Sequence, residues 1–177
     1  KFEDKFLKEY QNTFPYWGFF TKEEIQANKG KLLMLDLDLG RYCSLSCPTC
    51  FRKSSSIDKS EEGDITYEKL IEVIYDARKL GLKNVKLCGA GEPTENIRFF
   101  QFVRDMTRMD IGVAVFTKGQ VLGSDKESKR FNNRYGIKTA EQLCRELYNY
   151  KVSFMLGFQS FDTEVQDNIV GKEGHSL

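Results

Sequence analysis

Three of the five cysteines of the chain fall within eight residues, at Cys43, Cys47 and Cys50, in the stretch "RYCSLSCPTCF". A thiolate is both a nucleophile and a metal ligand, so a C-x3-C-x2-C run indicates a metal or redox site. Five cysteines cannot all pair, and this spacing suits a metal better than a disulfide framework. The pattern therefore predicts a metal site and a reducing, cytoplasmic location.

The number of thiols separates two kinds of metal site. A structural zinc site takes four protein ligands, and this chain has one histidine, His175, and no second C-x2-C pair. Cys88 and Cys144 could supply a fourth thiolate, but we expect both to be core residues. An iron–sulfur cluster held by three thiolates has instead an open position at its fourth iron for a ligand that is not protein. Structural zinc is the weaker alternative.

The surrounding elements place the cysteines at the edge of a sheet. Short apolar runs predict strands at residues 32–39, 84–89, 111–116 and 151–158, and helical periodicity predicts helices at 66–81, 96–109, 139–150 and 163–170. Strands and helices that alternate at this spacing predict a parallel sheet of right-handed βαβ units. The cysteine loop follows the first strand, at the edge where α/β folds build active sites.

Capping residues and apolar stripes define the helices more closely. We expect Thr66 to cap the first of them and Gly81 to end it. Thr139 and Gln142 predict a capping box at the start of the third. The residues that we expect to face the core are Leu70, Ile74, Ala77, Leu80, Phe99, Phe102, Val103 and Met106.

Two segments lie outside the strand–helix alternation. Residues 1–31 predict an N-terminal helical extension, with Thr21 and Glu24 capping a helix that ends by Gly30. This gives two predicted units, the extension and a core of residues 32–177. Residues 123–136 form a charged excursion, for which a solvated surface helix or loop is the favoured interpretation and a lid over the site the alternative.

The overall composition excludes several classes of partner. Hydrophobic residues make up 40% of the chain and charged residues 30%, as in soluble globular proteins. Lys and Arg number 27 against 26 for Asp and Glu, so there is no electrostatic reason to expect nucleic acid or an anionic membrane. No apolar run is long enough for a bilayer, and the charged N-terminus is not a signal peptide. The missing initial Met favours an incomplete chain.

The stretch "CSLSCPTC" resembles the signature of the radical S-adenosylmethionine (SAM) superfamily, whose C-x3-C-x2-C loop binds a [4Fe–4S] cluster chelated by SAM. The resemblance covers about residues 32–171 and implies that Cys43, Cys47 and Cys50 are the cluster ligands. The family fold is an incomplete (β/α)6 barrel. The expected architecture is therefore α/β, a partial parallel (β/α) barrel made of its first four units, with the later units absent.

Further segments resemble the family at the ends of the predicted strands. In "LCGAGEPT", Ala90, Gly91 and Glu92 match its Gly-Gly-Glu element, with alanine in place of the first glycine. Small residues let backbone groups approach a ligand closely, here the methionine amino group of SAM. Thr117 starts a turn that resembles a Thr-Asn-Gly turn of relatives, and it either contacts SAM or caps the loop.

The segment after the fourth strand and the position before the last cysteine also compare with the family. Ser160 resembles the serine that reaches the ribose or carboxylate of SAM, whereas Asp162 is expected to cap the next helix. Many relatives carry an aromatic residue just before the last cysteine, where this chain has Thr49 and places Phe51 after it instead. The resemblance implies either that backbone groups at Thr49 hold adenine, so that the exchange costs little, or that adenine packs on the aromatic side chain, which this chain lacks at that position.

The resemblance implies reductive cleavage of SAM to a 5′-deoxyadenosyl radical that abstracts hydrogen from a substrate. It also implies an electron donor such as a flavodoxin or ferredoxin. The substrate is a small molecule or a peptide, and the form of the Gly91–Glu92 and Ser160 segments is similar to relatives that modify peptides or proteins. Asp36 and Asp38 either bind substrate or, the favoured interpretation, are hydrogen-bonded residues that support the cluster loop. The alternatives are a cluster-binding sensor without radical chemistry and a structural zinc protein.

Overall fold

The computed structural model describes residues 14–51 and 65–176. Four parallel strands form a sheet in the order β1-β2-β3-β4, with β1 at Met34–Leu37, β2 at Asn84–Leu87, β3 at Gly112–Thr117 and β4 at Ser153–Leu156. Each crossover therefore advances by one strand in the same direction, as it does around the wall of a (β/α) barrel. The predicted α/β architecture with four parallel units is confirmed.

One helix precedes β1 and the others follow the strands, and those that contribute to the hydrophobic core lie against one face of the sheet. Their bounds are α1 Lys22–Ala27, α2 Tyr67–Lys79, α3 Phe99–Arg108, α4 Gln120–Gly123, α5 Asp125–Asn132, α6 Ala140–Asn149 and α7 Thr163–Val170, with 3-10 turns at Phe14–Trp17, Pro93–Glu95 and Asn133–Tyr135. Residues of α2, α3 and α6 form one hydrophobic core with the side chains of alternate strand residues. Phe99, Phe102, Val103 and Met106 of α3 are fully buried in this core, as predicted.

The strand register aligns the ends that carry the candidate site. Leu37 pairs with Leu87, and Leu87 pairs with Val115, so these residues form one row across β1, β2 and β3. Leu87 and Val115 are fully buried. Because parallel strands that pair in this way end at the same edge, the loops after β1, β2 and β3 are neighbours in space.

Helix α2 has the predicted cap and ends at Gly81 as predicted, but one residue of its predicted apolar stripe faces solvent. The Thr66 hydroxyl accepts the Lys69 N–H at 3.2 Å. At the other end the Leu82 N–H donates to Ala77 O and the Gly81 N–H donates to Arg78 O, which is a Schellman motif. Leu80 is 63% exposed and Leu82 is buried in the core, so the prediction that Leu80 faces inward is wrong. Because the chain reverses direction at Gly81, the leucine that packs into the core is Leu82, after the glycine, and not Leu80.

The N-terminal segment folds over the sheet face opposite the helices. Thr21 and Glu24 form the predicted capping box of α1. The Trp17 Nε1–H donates to the Ser153 hydroxyl at 2.8 Å, and its ring meets Phe116 edge-on at 5.0 Å. Ser153 and Phe116 alternate with the core-facing residues of their strands. The part of the predicted extension before residue 14 lies outside the described residues.

The charged excursion at residues 123–136 is largely helical. Helix α5 buries Ser128, Phe131 and Asn132. The Ser128 hydroxyl donates to Val121 O at 2.5 Å and ties α5 to α4. The structure is in line with the favoured interpretation of a surface helix: its charged residues are mostly exposed, while the apolar and small residues among them pack inward.

The two cysteines outside the loop are not core residues. Cys144 is exposed and Cys88 is half-buried, so both core predictions are wrong. Cys144 lies beside the buried Leu143 of α6, and its thiol faces Leu122 O at 3.6 Å instead of the core. Across the part of the chain that the structure describes, no helix has the length and apolarity needed to cross a membrane.

Candidate active site

The loop that follows β1 carries all three clustered cysteines. Cys43, Cys47 and Cys50 are half-buried, with free thiols. The Cys50 N–H donates to Cys47 O at 3.1 Å, which closes a turn whose exposed tip includes Thr49. The loop therefore presents three thiols from a short, irregular stretch at the carboxyl edge of the sheet.

Other elements hold this loop by its backbone. The Glu92 N–H donates to Tyr42 O at 2.8 Å, which joins the loop after β2 to the residue before Cys43. The Ser46 N–H donates to Val170 O at 3.0 Å, at the end of α7. Both bonds are made next to cysteines, so the positions of the thiols depend on the loop after β2 and on the end of α7.

Two glycines allow these segments to meet closely. A Cβ atom at Gly91 would collide with the backbone oxygen of Gly40, and one at Gly171 would collide with the backbone oxygen of Ser46. Gly171 also has φ +64, a left-handed conformation that favours glycine. The matched Gly91 is thus required by the packing of one loop on another, apart from any ligand.

Glu92 joins the ends of β2 and β3. Its buried carboxylate accepts hydrogen bonds from the Thr94 hydroxyl at 2.7 Å, the Thr117 hydroxyl at 2.5 Å and the Lys118 N–H at 2.9 Å. The Thr94 N–H also donates to it at 3.2 Å. A buried carboxylate needs such donors to offset the loss of water. The side chain that matches the family glutamate is therefore engaged by the protein itself.

Thr117, Ala90 and the strand aspartates have identified partners. The Thr117 hydroxyl accepts the Gly119 N–H at 2.9 Å, so Thr117 caps its loop, one of the two predicted roles. The Ala90 N–H donates to the Asp38 carboxylate at 3.0 Å. Asp36 forms an ion pair with Lys86 at 3.0 Å. Asp38 thus supports the glycine-rich loop after β2 and not the cluster loop that the favoured interpretation named, and Asp36 pairs with a residue of the neighbouring strand.

The segment after β4 is held by a glutamine to which the sequence analysis assigned no role. The buried Gln166 side chain accepts the N–H groups of Gln159 and Ser160, each at 3.1 Å. The Ser160 hydroxyl accepts the Asp162 N–H at 3.1 Å, and Asp162 caps α7 by accepting the Val165 N–H at 3.0 Å. The predicted cap is confirmed, and Ser160 lies in an ordered turn.

The surroundings of Cys43 favour its protonated thiol when no metal is bound. Burial is the largest cause that raises the pKa of Cys43, to about 11, and the charges of Glu95 and Glu92 act in the same direction. A hydrogen bond from the Leu45 backbone acts against them. Metal ligation requires the thiolate, so a cation that binds here must displace a proton from Cys43.

The donor set fits a cluster held by one loop. Within residues 14–51 and 65–176, no three or more His, Cys, Asp or Glu side chains are arranged to hold a metal ion. Each thiolate of an iron–sulfur cluster binds a different iron, so the sulfurs need not converge on one point as they do around zinc. Three thiols on a loop that neighbouring elements hold are suitable ligands for such a group.

Sequence reasoning missed Glu95. Glu95 is buried in the turn after Glu92, and its carboxylate accepts the Ser44 N–H at 2.7 Å and the Ser44 hydroxyl at 2.6 Å. The sequence signal was weak, because one acidic residue after "GEP" and one serine after a cysteine suggest no pairing. Only the adjacency of β1 and β2 brings them together.

Comparison with known proteins relates this site to a family. The radical SAM superfamily model matches residues 37–176. The tungsten-containing aldehyde ferredoxin oxidoreductase cofactor-modifying protein of Pyrococcus furiosus is 33% identical over 89 residues, which are 50% of this chain and 24% of that protein. The chain thus spans about a quarter of the length of this relative.

Solved structures support the fold. The crystal structure of Streptococcus suis SuiB bound to the precursor peptide SuiA matches with a TM-score of 0.55 at 16% identity, covering 92% of this chain and 31% of SuiB. SuiB without the peptide matches with a TM-score of 0.50 at 17% identity, covering 92% of this chain and 32% of SuiB. The family match covers the cysteine loop and every strand end described above, and the chain therefore belongs to the radical SAM superfamily.

Proposed function

We propose that this chain is the cluster- and SAM-binding part of a radical SAM enzyme. Cys43, Cys47 and Cys50 would ligate three irons of a [4Fe–4S] cluster. The observation that carries the proposal is the placement of these thiols on a loop bonded directly to the glycine-rich loop after β2. When bound, such a cluster supplies the electron that splits SAM into methionine and a 5′-deoxyadenosyl radical, which abstracts hydrogen from a substrate.

The residues proposed for SAM lie around the same edge. Ala90 and Gly91 offer backbone groups beside the cysteine loop, and Thr49 at its exposed tip would hold adenine through its backbone. Thr117 and Ser160 lie at the ends of β3 and after β4. Glu92 would act through its backbone and through its bonds that fix these strand ends, because its carboxylate already accepts several hydrogen bonds.

The substrate that we propose is a peptide or protein. The support is the fold shared with SuiB, whose structure holds a precursor peptide, together with the form of the segments at Gly91 and Ser160. A small molecule is the alternative, and the cofactor-modifying relative of Pyrococcus furiosus favours it. The electron would come from a donor such as a flavodoxin or ferredoxin, and the location that we propose is cytoplasmic.

The test is performed on the full-length protein purified without oxygen. We expect iron and sulfide in stoichiometric amounts, and release of 5′-deoxyadenosine from SAM after reduction with dithionite. Zinc without sulfide would establish the structural zinc alternative. Iron, sulfide and SAM binding without any 5′-deoxyadenosine, with or without candidate peptides, would instead establish a sensing module.

A further inference from the structure

We infer that Glu95 is a positioning residue for the cluster-binding loop, acting through Ser44. This inference rests on the proposed function, because it assigns a role in holding the ligand loop for the cluster. Glu95 ends the 3-10 turn Pro93–Glu95 and is 2% exposed. It is distinct from Glu92, whose carboxylate is engaged at the ends of β2 and β3.

Both oxygens of the Glu95 carboxylate are directed at one residue. Oε2 accepts the Ser44 N–H at 2.7 Å, and Oε1 accepts the Ser44 hydroxyl at 2.6 Å. The side-chain oxygen of Gln120 lies 3.4 Å from the same hydroxyl. Hydrogen bonds to a buried carboxylate are about twice as strong as those between neutral groups. The loop conformation at Ser44 is therefore the one that satisfies this buried charge.

The contact between Glu95 and Ser44 is made directly beside a proposed cluster ligand. Ser44 directly follows Cys43, so a fixed Ser44 backbone restricts the direction of the Cys43 side chain. On the other side of the loop the Ser46 N–H, directly before Cys47, donates to Val170 O at 3.0 Å. The three-residue spacer between the first two thiols is thus held from both ends before any cluster is present.

Two substitutions separate the shape of Glu95 from its charge. Glu95→Ala removes both hydrogen bonds and leaves Ser44 without its carboxylate. Glu95→Gln preserves the size of the side chain, and its amide can accept the Ser44 N–H and donate to the Ser44 hydroxyl. If Glu95 acts by positioning the loop, the glutamine amide holds Ser44 as the carboxylate does. The same variant lacks the negative charge near the cluster.

The experiment uses the full-length protein with its cluster reconstituted without oxygen. The measured quantities are iron and sulfide per chain, the rate of iron loss to a chelator, and the reduction potential followed by electron paramagnetic resonance. We expect Glu95→Ala to lose iron at least about tenfold faster than the unchanged protein, since two charge-assisted hydrogen bonds are removed. We expect Glu95→Gln to retain iron normally but to shift the potential to a more positive value.

Tyr67→Phe is the matched control. It removes the hydrogen bond of 2.7 Å from the Tyr67 hydroxyl to the Asp105 carboxylate, which lies between α2 and α3 and not on the loop. We expect iron retention in this variant to equal that of the unchanged protein. If Glu95→Ala retains iron as long as Tyr67→Phe, the inference about Glu95 is wrong.

Iron content and folding distinguish two further outcomes. An unchanged protein that takes up no iron and sulfide overturns the proposed function itself, which distinguishes that failure from the failure of the inference. If Glu95→Ala does not fold, Ser44→Ala decides. This variant loses the hydroxyl bond but keeps the N–H bond, and we expect faster iron loss than in the unchanged protein. Iron retention equal to that of Tyr67→Phe would contradict the inference.

Discussion

The carboxylate of Glu92 and the hydroxyl of Thr117 form a hydrogen bond of 2.5 Å that joins the carboxyl ends of β2 and β3. Both residues are buried, and the same hydroxyl accepts the Gly119 N–H. Thr117 is thus a donor to the carboxylate and an acceptor for the loop that follows. One side chain therefore holds together two of the strand ends that we propose to bind SAM.

Replacement of Thr117 by valine tests this junction. Thr117→Val keeps the branched shape but leaves the Glu92 carboxylate without one donor and the Gly119 N–H without its acceptor. We expect the free energy of unfolding to fall by about 1–3 kcal/mol, since buried polar groups lose their partners. Denaturant unfolding followed by circular dichroism measures this value. Thr117→Ser restores the hydroxyl and should recover part of the loss, and a serine variant less stable than the valine variant would contradict the explanation.

The thiols of the loop are expected to be individually required for iron. We expect Cys43→Ala, Cys47→Ala and Cys50→Ala each to lose most of the iron and sulfide, because every thiolate binds a separate iron. Cys144→Ala is the control, since Cys144 is an exposed residue of α6 whose thiol donates to Leu122 O, and it is distant in sequence from the loop. Chemical analysis of iron and sulfide after anaerobic reconstitution provides the measurement. Full cluster content in any loop variant would remove that cysteine from the proposed ligand set.

Gly91 is expected to tolerate no side chain. In Gly91→Ala the new Cβ atom would collide with the Gly40 backbone oxygen, and backbone atoms cannot move aside as a flexible side chain does. We expect a loss of stability of about 1–3 kcal/mol from overpacking, together with weaker binding of SAM. Thermal unfolding and equilibrium dialysis with labelled SAM measure the two effects.

Gly123 provides the comparison for Gly91. A Cβ atom at Gly123 meets nothing within 4 Å, and the residue ends α4. We therefore expect Gly123→Ala to bind SAM as the unchanged protein does. Equal SAM binding by Gly91→Ala and Gly123→Ala would show that close approach of the two loops is not needed for the ligand.

Local chemistry made much of the fold predictable. Thr66, Thr139 and Asp162 cap their helices because a short polar side chain directly before a helix can reach the free N–H groups of its first turn. The buried face of α3 followed from periodicity alone. Leu80 was misplaced because the Schellman motif at Gly81 reverses the chain, and the sequence pattern does not show on which side of the reversal the core lies.

The candidate site was predictable only in part. Its cysteines are recognisable because they are close in sequence, but the residues that hold them are not. Glu95 is paired with Ser44 across 51 positions, and the Ser46 N–H is bonded to the end of α7. These partners meet only after four strands have assembled in order. Their residue types are common at surfaces, so nothing in the sequence marks them as buried.

The N-terminal segment provides a last test, because its Trp17 is the single tryptophan of the chain. The Trp17 indole N–H donates to the buried Ser153 hydroxyl at 2.8 Å, which fastens the segment to β4. Ser153→Ala removes the acceptor of this hydrogen bond and keeps Trp17 as the fluorescence reporter. We expect a loss of about 1 kcal/mol, and a fluorescence midpoint in denaturant that falls below the midpoint from circular dichroism.

The two midpoints distinguish a local from a global effect of Ser153→Ala. Trp17 is held at the sheet by this hydrogen bond and by its contact with Phe116, so loss of the bond should release the segment before the sheet unfolds. Tyr148→Phe changes a hydroxyl on a residue that is 73% exposed, and its two midpoints should coincide. If they coincide for Ser153→Ala as well, the segment unfolds together with the sheet and is an integral part of the core.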